Sequence, residues 1–145
     1  MTEHASGEII IDSTLMKVLE ILLELDEYSK WISDVKEVDV QSRDNLGRAL
    51  IATLHTSAMG QNIVQTYKYS YENYPYEISW TFLEGNMVSS LDGKYVLTIV
   101  DENTSKVLYD LEIELTSPLP GFIKRKAAQK IVDSALKNLK VYAEK

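Results

Sequence analysis

The segment from Gly121 to Lys145 constrains the fold of this chain more than any other. Pro118 and Pro120 end the strand-like segment before it, and no proline or glycine interrupts the helical pattern that follows Gly121. A helix of about 22 residues is about 33 Å long, which is enough to cross a small sheet. Apolar residues recur along one predicted face of this helix, which carries Ile123, Ala127, Ile131, Ala135 and Leu139. Such a helix needs an apolar surface of similar length to pack against.

The middle of the chain has the period of β-strands. Val38 and Val40 alternate with charged and polar neighbours, and turn residues interrupt the later runs at short intervals. The strands are predicted from Val35 onward and then over 49–56, 63–71, 78–83, 88–100 and 107–115, with a bulge near Asp92 and Gly93. Consecutive strands with short breaks predict an antiparallel meander.

The N-terminal part predicts one short strand and two short helices. Residues 8–11 form the predicted strand, and the residues before it are expected to be a polar tail that includes His4. Asp12, Ser13 and Thr14 offer N-cap side chains in front of a helical repeat of leucine and valine. Residues 25–31 predict the second short helix. The whole pattern predicts an α+β fold in which the sheet wraps around the C-terminal helix.

Length and composition limit the class of protein. At 145 residues the chain has the usual size of a single domain, here 1–145. It has no cysteine, which excludes disulfides, thiolate metal sites and a cysteine nucleophile. No apolar run approaches the roughly 20 residues that span a bilayer, and the first residues are polar and acidic. These features predict a soluble, cytoplasmic protein.

The charge is unevenly distributed. The formal net charge is −7, and residues 121–145 carry seven Lys and Arg against two acids, so that this segment is +5 and residues 1–120 are −12. Sequence-independent binding of nucleic acid is therefore not expected, because phosphates would meet an acidic surface. The basic segment predicts at most peripheral contact with anionic lipid, and a solvated helix face is the simpler interpretation.

Four short segments, in this order of elements, resemble the START-like superfamily. They are Tyr-Ser-Lys-Trp at 28–31, Ile-Ser-Trp-Thr-Phe-Leu-Glu-Gly at 78–85, Ser-Leu-Asp-Gly-Lys-Tyr at 90–95 and Ser-Pro-Leu-Pro-Gly-Phe-Ile-Lys-Arg at 117–125. The chain is most similar to the polyketide cyclase/dehydrase and lipid-transport family of small bacterial proteins. The resemblance implies a helix-grip (START-like, Bet v 1-like) fold, with about seven curved antiparallel strands around the C-terminal helix. It also implies a deep cavity for lipids, polyketides, sterols or other apolar compounds, but no single activity.

Strand alternation predicts which side chains line such a cavity. Tyr67, Tyr69 and Tyr71 alternate with polar residues and are expected to point inward, as are Trp80 and Tyr109. The resemblance adds Trp31 and Met59 near the cavity mouth. The full predicted lining is Trp31, Met59, Tyr67, Tyr69, Trp80, Tyr95, Tyr109, Ile123, Ala127, Ile131 and Ala135. The alternative is that these residues fill a core, with Trp31 as an anchor and Met59 as a gap filler.

Few residues are candidates for catalysis. His55 is the only histidine besides His4, so it is the one candidate for a general acid or base that titrates near neutral pH. The direction of its side chain cannot be read from the pattern, and a structural histidine is the simpler interpretation. The sequence has no metal-binding spacing, no nucleophile elbow and no glycine-rich phosphate loop. We therefore predict no metal and no cofactor.

Three functions remain open at this point. The leading hypothesis is a protein that binds or transports an apolar small molecule, as a monomer or weak dimer. The first alternative is a polyketide cyclase-like or aromatase-like enzyme, in which Tyr67, Tyr109 or His55 polarises a carbonyl or moves a proton. The second alternative is a protein-interaction module.

Overall fold

The computed structural model describes residues 2–58 and 60–145, and seven strands and two α-helices lie within them together with one 3₁₀ helix. The elements are β1 (Glu3–Ile11), α1 (Leu15–Leu23), the 3₁₀ helix (Leu25–Lys30), β2 (Val35–Arg43), β3 (Ala49–Ala58), β4 (Gln61–Ser70), β5 (Glu77–Gly85), β6 (Val88–Asp101), β7 (Thr104–Leu115) and α2 (Gly121–Ala143).

All seven strands form one antiparallel sheet in the order β1-β7-β6-β5-β4-β3-β2. The strands from β2 to β7 follow one another as the predicted meander. The first strand then pairs with the last, from Glu3 opposite Ile113 to Ile11 opposite Ser105. The sheet is curved and holds α2 against one face, which we call the inner face. The helix-grip architecture predicted from the sequence is confirmed.

The first strand is longer than predicted, and the expected polar tail is wrong. β1 begins at Glu3, and His4 is held at the strand surface by Asp110, with Nε2 and Oδ1 2.6 Å apart. The inward positions at the start of β1 are Glu3, Ala5 and Gly7, so the sequence shows no apolar alternation there. Gly7 is small because α2 packs closely there: a Cβ on Gly7 would lie 3.2 Å from Cγ1 of Val132.

Two short helices follow β1, as predicted. The hydroxyl of Thr14 caps α1 by accepting a hydrogen bond from the backbone N–H of Lys17 at 3.2 Å. The apolar stripe of this helix is buried against the core and consists of Leu15, Val18, Leu19 and Leu22. The second helix is a 3₁₀ helix, and its Tyr28 is buried.

The long helix α2 packs mainly against β1 and β7. Its buried side chains are Ala128, Val132, Ala135, Leu136, Leu139 and Ala143. The predicted apolar face is wrong for the first half of the helix, because Ile131, which was expected to be buried, is 43% exposed. A strict spacing of four residues turns by about 40° at each step of an α-helix, so the series from Ile123 to Leu139 winds away from a straight stripe. No helix in the described part of the chain has the length and apolar character needed to cross a membrane.

Candidate functional site

Tyrosines cover the inner face in the middle of the sheet. Tyr69, Tyr95 and Tyr109 are only 5%, 4% and 6% exposed. The register places Tyr95 opposite Tyr109, and their ring centroids are 4.7 Å apart. The inward direction that alternation predicts for Tyr69 and Tyr109 is confirmed by their burial, and Tyr95 is buried beside them. Their role in binding a ligand stays a prediction.

Trp80 lies over the backbone of Gly93 at the centre of this tyrosine cluster. The two residues are opposite each other in the register of β5 and β6, and a Cβ on Gly93 would meet Cε2 of the indole ring at 2.5 Å. The Trp80 ring centroid is 5.2 Å from that of Tyr95, 5.6 Å from Tyr109 and 6.1 Å from Tyr69. The bulge predicted at Gly93 is wrong, because pairing with β7 is continuous there and its register shifts lie near the strand ends. Glycine is required because the indole occupies the space of a side chain.

The hydroxyl groups of Tyr69, Tyr95 and Tyr109 have no hydrogen-bond partner among the described residues. The unpartnered side-chain atoms that are fully enclosed in the same part of the chain are Oε1 of Glu3 and Nε1 of Trp31. The three hydroxyls are not among those fully enclosed atoms, so each of them keeps some accessible surface. The cluster thus combines buried aromatic rings with hydroxyl groups that can still form hydrogen bonds.

Neighbouring tyrosines differ in this respect. The hydroxyl of Tyr28 donates to the carbonyl of Leu22 at 2.5 Å, and that of Tyr71 donates to the carbonyl of Ala49 at 2.5 Å. These two hydroxyls each hold a backbone carbonyl in place. The hydroxyls of Tyr69, Tyr95 and Tyr109 can still form a hydrogen bond with another group.

Burial keeps these phenols neutral. Burial, with a smaller contribution from neighbouring phenol groups, raises the pKa values of Tyr69, Tyr95 and Tyr109 well above the ordinary value. Burial also raises the pKa of Tyr71 to about 12. At neutral pH each of these groups is therefore a neutral hydrogen-bond donor and acceptor, and none of them is a base.

A second set of polar groups lies on the inner face of β4. Oε1 of Gln65 accepts a hydrogen bond from the backbone N–H of Met87 at 3.1 Å, and Nε2 of Gln65 donates to the hydroxyl of Tyr67 at 3.2 Å. Tyr67 is half-buried and packs edge-on against the half-buried Phe82 at 6.5 Å between centroids. We call the part of the inner face formed by β4 and β5 the inner groove.

One buried acid on the inner face was missed by the sequence analysis. Glu3 is 4% exposed and lies opposite Ile113. In the sequence, only the alternation of Glu3, His4 and Ala5 indicates that Glu3 points inward. This alternation is hard to recognise because the strand begins in a polar segment. The other buried polar residues in the described chain are Ser13, Thr53, Gln65, Thr66 and Ser105, so no Lys, Arg or His is buried there.

Trp31 lies at the far end of α2 and is buried. Its ring packs edge-on against Tyr28 at 5.1 Å and stacks on Tyr142 at 6.4 Å. A depression of about 140 Å³ lies beside it, lined by Lys30, Trp31, Asn138, Val141, Tyr142 and Lys145. This geometry matches an anchor between the 3₁₀ helix and α2. Met59, the other residue expected at a cavity mouth, lies outside the described residues.

The predicted residues of α2 have two different positions. Ala135 is part of the buried stripe, whereas Ile123 and Ala127 are half-buried on the flank. Ala127 and Asn138 are eleven residues apart, so they point in directions that differ by about 20°. Because Asn138 lines the depression beside Trp31, this flank faces the side of the 3₁₀ helix, which packs on β2. Ala127 therefore lies on the flank of α2 that carries Asn138.

His55 lies on the outer face of the sheet. Its Nε2 is 3.2 Å from Oδ2 of Asp39, and Glu37 is its cross-strand partner. The ligand atoms of these three exposed or half-exposed side chains are within 4.8 Å of one another, which is the geometry of a surface ion pair with an extra carboxylate. The hypothesis that His55 acts as an acid or base inside the cavity is wrong, because its neighbour Leu54 points inward and His55 points outward.

A depression of about 290 Å³ is also on the outer face. It is lined by Ser79, Trp80, Thr81, Asp92, Gly93, Lys94, Asp110 and Glu112. Alternation turns its polar side chains away from the tyrosine cluster, so it is separate from the inner groove.

The fold and the aromatic inner face define a START-like helix-grip protein, and solved structures of this class match it along nearly its whole length. A START superfamily protein from Mycobacterium smegmatis is 19% identical, with a TM-score of 0.92 over 97% of this chain and 97% of that chain. The ZhuI aromatase/cyclase from Streptomyces sp. R1128 is 13% identical, with a TM-score of 0.79 over 99% and 94%. A protein from Thermus thermophilus is 20% identical, with a TM-score of 0.80 over 97% and 96%.

Residues 2–144 match the family described as polyketide cyclase / dehydrase and lipid transport, and the chain belongs to that family. No protein of curated function matches the sequence significantly. The family is built on a small-molecule-binding fold.

Proposed function

We propose that this protein binds an apolar small molecule in the inner groove, between β4, β5 and the flank of α2. The observation that carries the proposal is the set of buried tyrosines whose hydroxyls have no partner among the described residues. Half-buried Tyr67, Trp80 and Phe82 add apolar surface at the same place. A mostly apolar site with a few orienting polar groups is the usual form of a small-molecule site.

The cyclase-like alternative has a narrower basis. Gln65 and Tyr67 converge at 3.2 Å on the inner face and could together polarise a carbonyl. Both groups are neutral, and burial raises the pKa of Tyr67, so neither takes a proton at neutral pH. The similar aromatase/cyclase is alike in fold only, at 13% identity. Binding without chemistry is therefore the better supported function.

The proposal is tested by titrating the protein with N-phenyl-1-naphthylamine, an uncharged apolar dye that fluoresces when bound. We expect saturable binding at one dye per chain. Ala127→Trp should weaken it by about tenfold or more, because the indole fills the groove beside β4 and β5. Lys137→Trp, on the exposed side of the same helix, is the matched control and should leave affinity unchanged.

Native mass spectrometry of the freshly purified protein is the second measurement. A compound bound in a one-to-one ratio that is lost in Ala127→Trp supports the proposal. The absence of saturable dye binding, or equal binding by both tryptophan variants, contradicts it.

A further inference from the structure

We propose that Glu37, Asp39 and His55 form a binding site for a divalent transition-metal ion such as Zn²⁺ on the outer face of the sheet. The site is separate from the inner groove, so this inference does not depend on the proposed function. The spacing of residues along the chain predicted no metal site. The three ligands come together only through the pairing of β2 with β3, which their spacing in the sequence does not show.

The first argument is the arrangement of the ligand atoms. One imidazole nitrogen and one oxygen from each carboxylate lie within 4.8 Å of one another, and no other group of three such ligands occurs in the described part of the chain. Nε2 of His55 is 3.2 Å from Oδ2 of Asp39. Two ligands of a tetrahedral zinc ion, each about 2.0–2.1 Å from the metal, are about 3.3–3.4 Å apart. One ion can therefore reach all three groups after small side-chain movements.

The second argument is a bulge in the edge strand β2. Between Val35 and Glu37, β2 advances by two residues while β3 advances by one, so that Lys36 is an extra residue. In a regular ladder Lys36 would be the partner of His55, and a cation would stand in the place of a ligand. The bulge instead makes Glu37 the partner of His55, and Asp39 follows on the same face two residues later.

The third argument is the charge of the cluster. Asp39 pairs with His55, and neither carboxylate forms an ion pair with a lysine or arginine among the described residues. Two carboxylates this close repel each other, and a divalent cation between them offsets both charges. Imidazole is a good ligand for zinc and the neighbouring transition metals, whereas Mg²⁺ and Ca²⁺ prefer oxygen ligands. The ligand set therefore favours an ion of the zinc type.

Calorimetric titration of the metal-free protein with zinc chloride, in a buffer that does not bind metal ions, tests the site. We expect saturable binding of one ion per chain. His55→Ala and the isosteric Glu37→Gln should each weaken binding by at least about tenfold, since losing a residue that only supports a metal ligand already costs about 10- to 100-fold.

His4→Ala is the matched control and should leave the zinc affinity unchanged. His4 is also a histidine on a strand surface with an aspartate partner, but no second carboxylate completes a group of three there. Equal urea midpoints of the metal-free variants establish that the fold is intact.

Nuclear magnetic resonance identifies the histidine that binds the ion. The chain has two histidines, so their imidazole signals distinguish the two positions. Zn²⁺ should shift the signal that is missing in His55→Ala and leave the signal of His4 in place. Ca²⁺ should shift neither signal, because the proposed site depends on the imidazole.

The ion should also stabilise the fold, because it links the edge strand β2 to β3 only in the folded chain. At a free Zn²⁺ concentration about ten times Kd, we expect Tm to rise by about 3–6 °C in the wild type and in His4→Ala. In His55→Ala the same concentration should leave Tm unchanged.

Three results would overturn the inference. They are equal zinc affinity in the wild type, His55→Ala and Glu37→Gln, binding that does not saturate at one ion per chain, and a shift of the His55 signal by Ca²⁺ as large as that by Zn²⁺. Dye binding in the inner groove is measured without metal, so failure of the metal site leaves the proposed function intact.

Discussion

The tyrosines of the inner face illustrate how position decides the chemistry of one residue type. Tyr28 and Tyr71 use their hydroxyls to hold backbone carbonyls, while Tyr69, Tyr95 and Tyr109 make no such bond within the described residues. Alternation predicted the inward direction of the tyrosines on β4 and β7. It could not predict which hydroxyls find partners, because a hydrogen bond depends on atoms from distant segments.

Alkaline pH should destabilise the fold through these groups. Burial raises the pKa values of Tyr28, Tyr69, Tyr95 and Tyr109 above the value of about 10 expected in the unfolded chain. The folded state then holds protons that the unfolded state releases, so this stabilisation is complete below about pH 10 and is lost as pH rises further. Each buried tyrosine contributes a slope of up to about 1.4 kcal/mol per pH unit.

Urea unfolding at a series of pH values, with the ultraviolet absorbance of tyrosinate measured in parallel, tests this expectation. The double variant Tyr95→Phe with Tyr109→Phe should show a shallower fall of the free energy of unfolding above about pH 10. A wild-type stability that does not fall over that range would contradict the assignment of these side chains to the interior.

The long helix α2 is held unevenly along its length. Its second half buries Val132, Leu136 and Leu139. Near its C-terminal end, Nζ of Lys140 donates to the carbonyl of Ile10 at 2.8 Å, and the carboxylate of Glu144 accepts from the N–H of Asp12 at 2.8 Å. The first two turns have no fully buried side chain, and the N-cap Pro120 makes no side-chain cap hydrogen bond.

Amide hydrogen exchange should reveal this asymmetry. We expect amides of residues 125–128 to exchange at least about tenfold faster than those of 136–140, because opening the first turns exposes little apolar surface. Both groups have intrahelical acceptors, so the comparison excludes the free amides of the first turn. Equal protection along α2 would contradict this picture. If the dye binds beside Ala127 as proposed, it should slow exchange in the first group more than in the second.

At the scale of the whole molecule, one sheet joins the two ends of the chain. β1 pairs with β7 along nine residue pairs, from Glu3 opposite Ile113 to Ile11 opposite Ser105, and α2 packs across both strands. We infer from this closure that the chain behaves as a single domain, as its length predicts.

Unfolding should therefore be one cooperative transition. Tryptophan fluorescence and far-ultraviolet circular dichroism are expected to give the same urea midpoint, with an m value of about 1–3 kcal/mol/M. Gly7→Val crowds Val132 and Leu136 and should lower both midpoints together. Gly121→Ala, whose added Cβ would meet only Arg125 at an ordinary 3.5 Å, should leave them unchanged. Two separate transitions would contradict the single-domain inference.

The order of elements was contained in the sequence, because it depends on local signals. Period-two strands, turn residues, the Thr14 cap and the break at Pro118 and Pro120 each act over a few residues, and together they predicted the meander and the helix that closes it. The inward tyrosines followed from the same alternation.

The tertiary structure decided what depends on contacts between distant segments. The start of β1 at Glu3 became visible only through its pairing with β7, since small and polar residues carry no apolar signal. The glycine at 93 is explained by an indole from the neighbouring strand. The face that α2 buries depends on how a 3.6-residue helix meets a twisted sheet, which a spacing of four residues does not describe. The free hydroxyls of the cluster and the lack of a buried cation within the described residues arise from packing between distant strands and helices, so no local pattern could have predicted them.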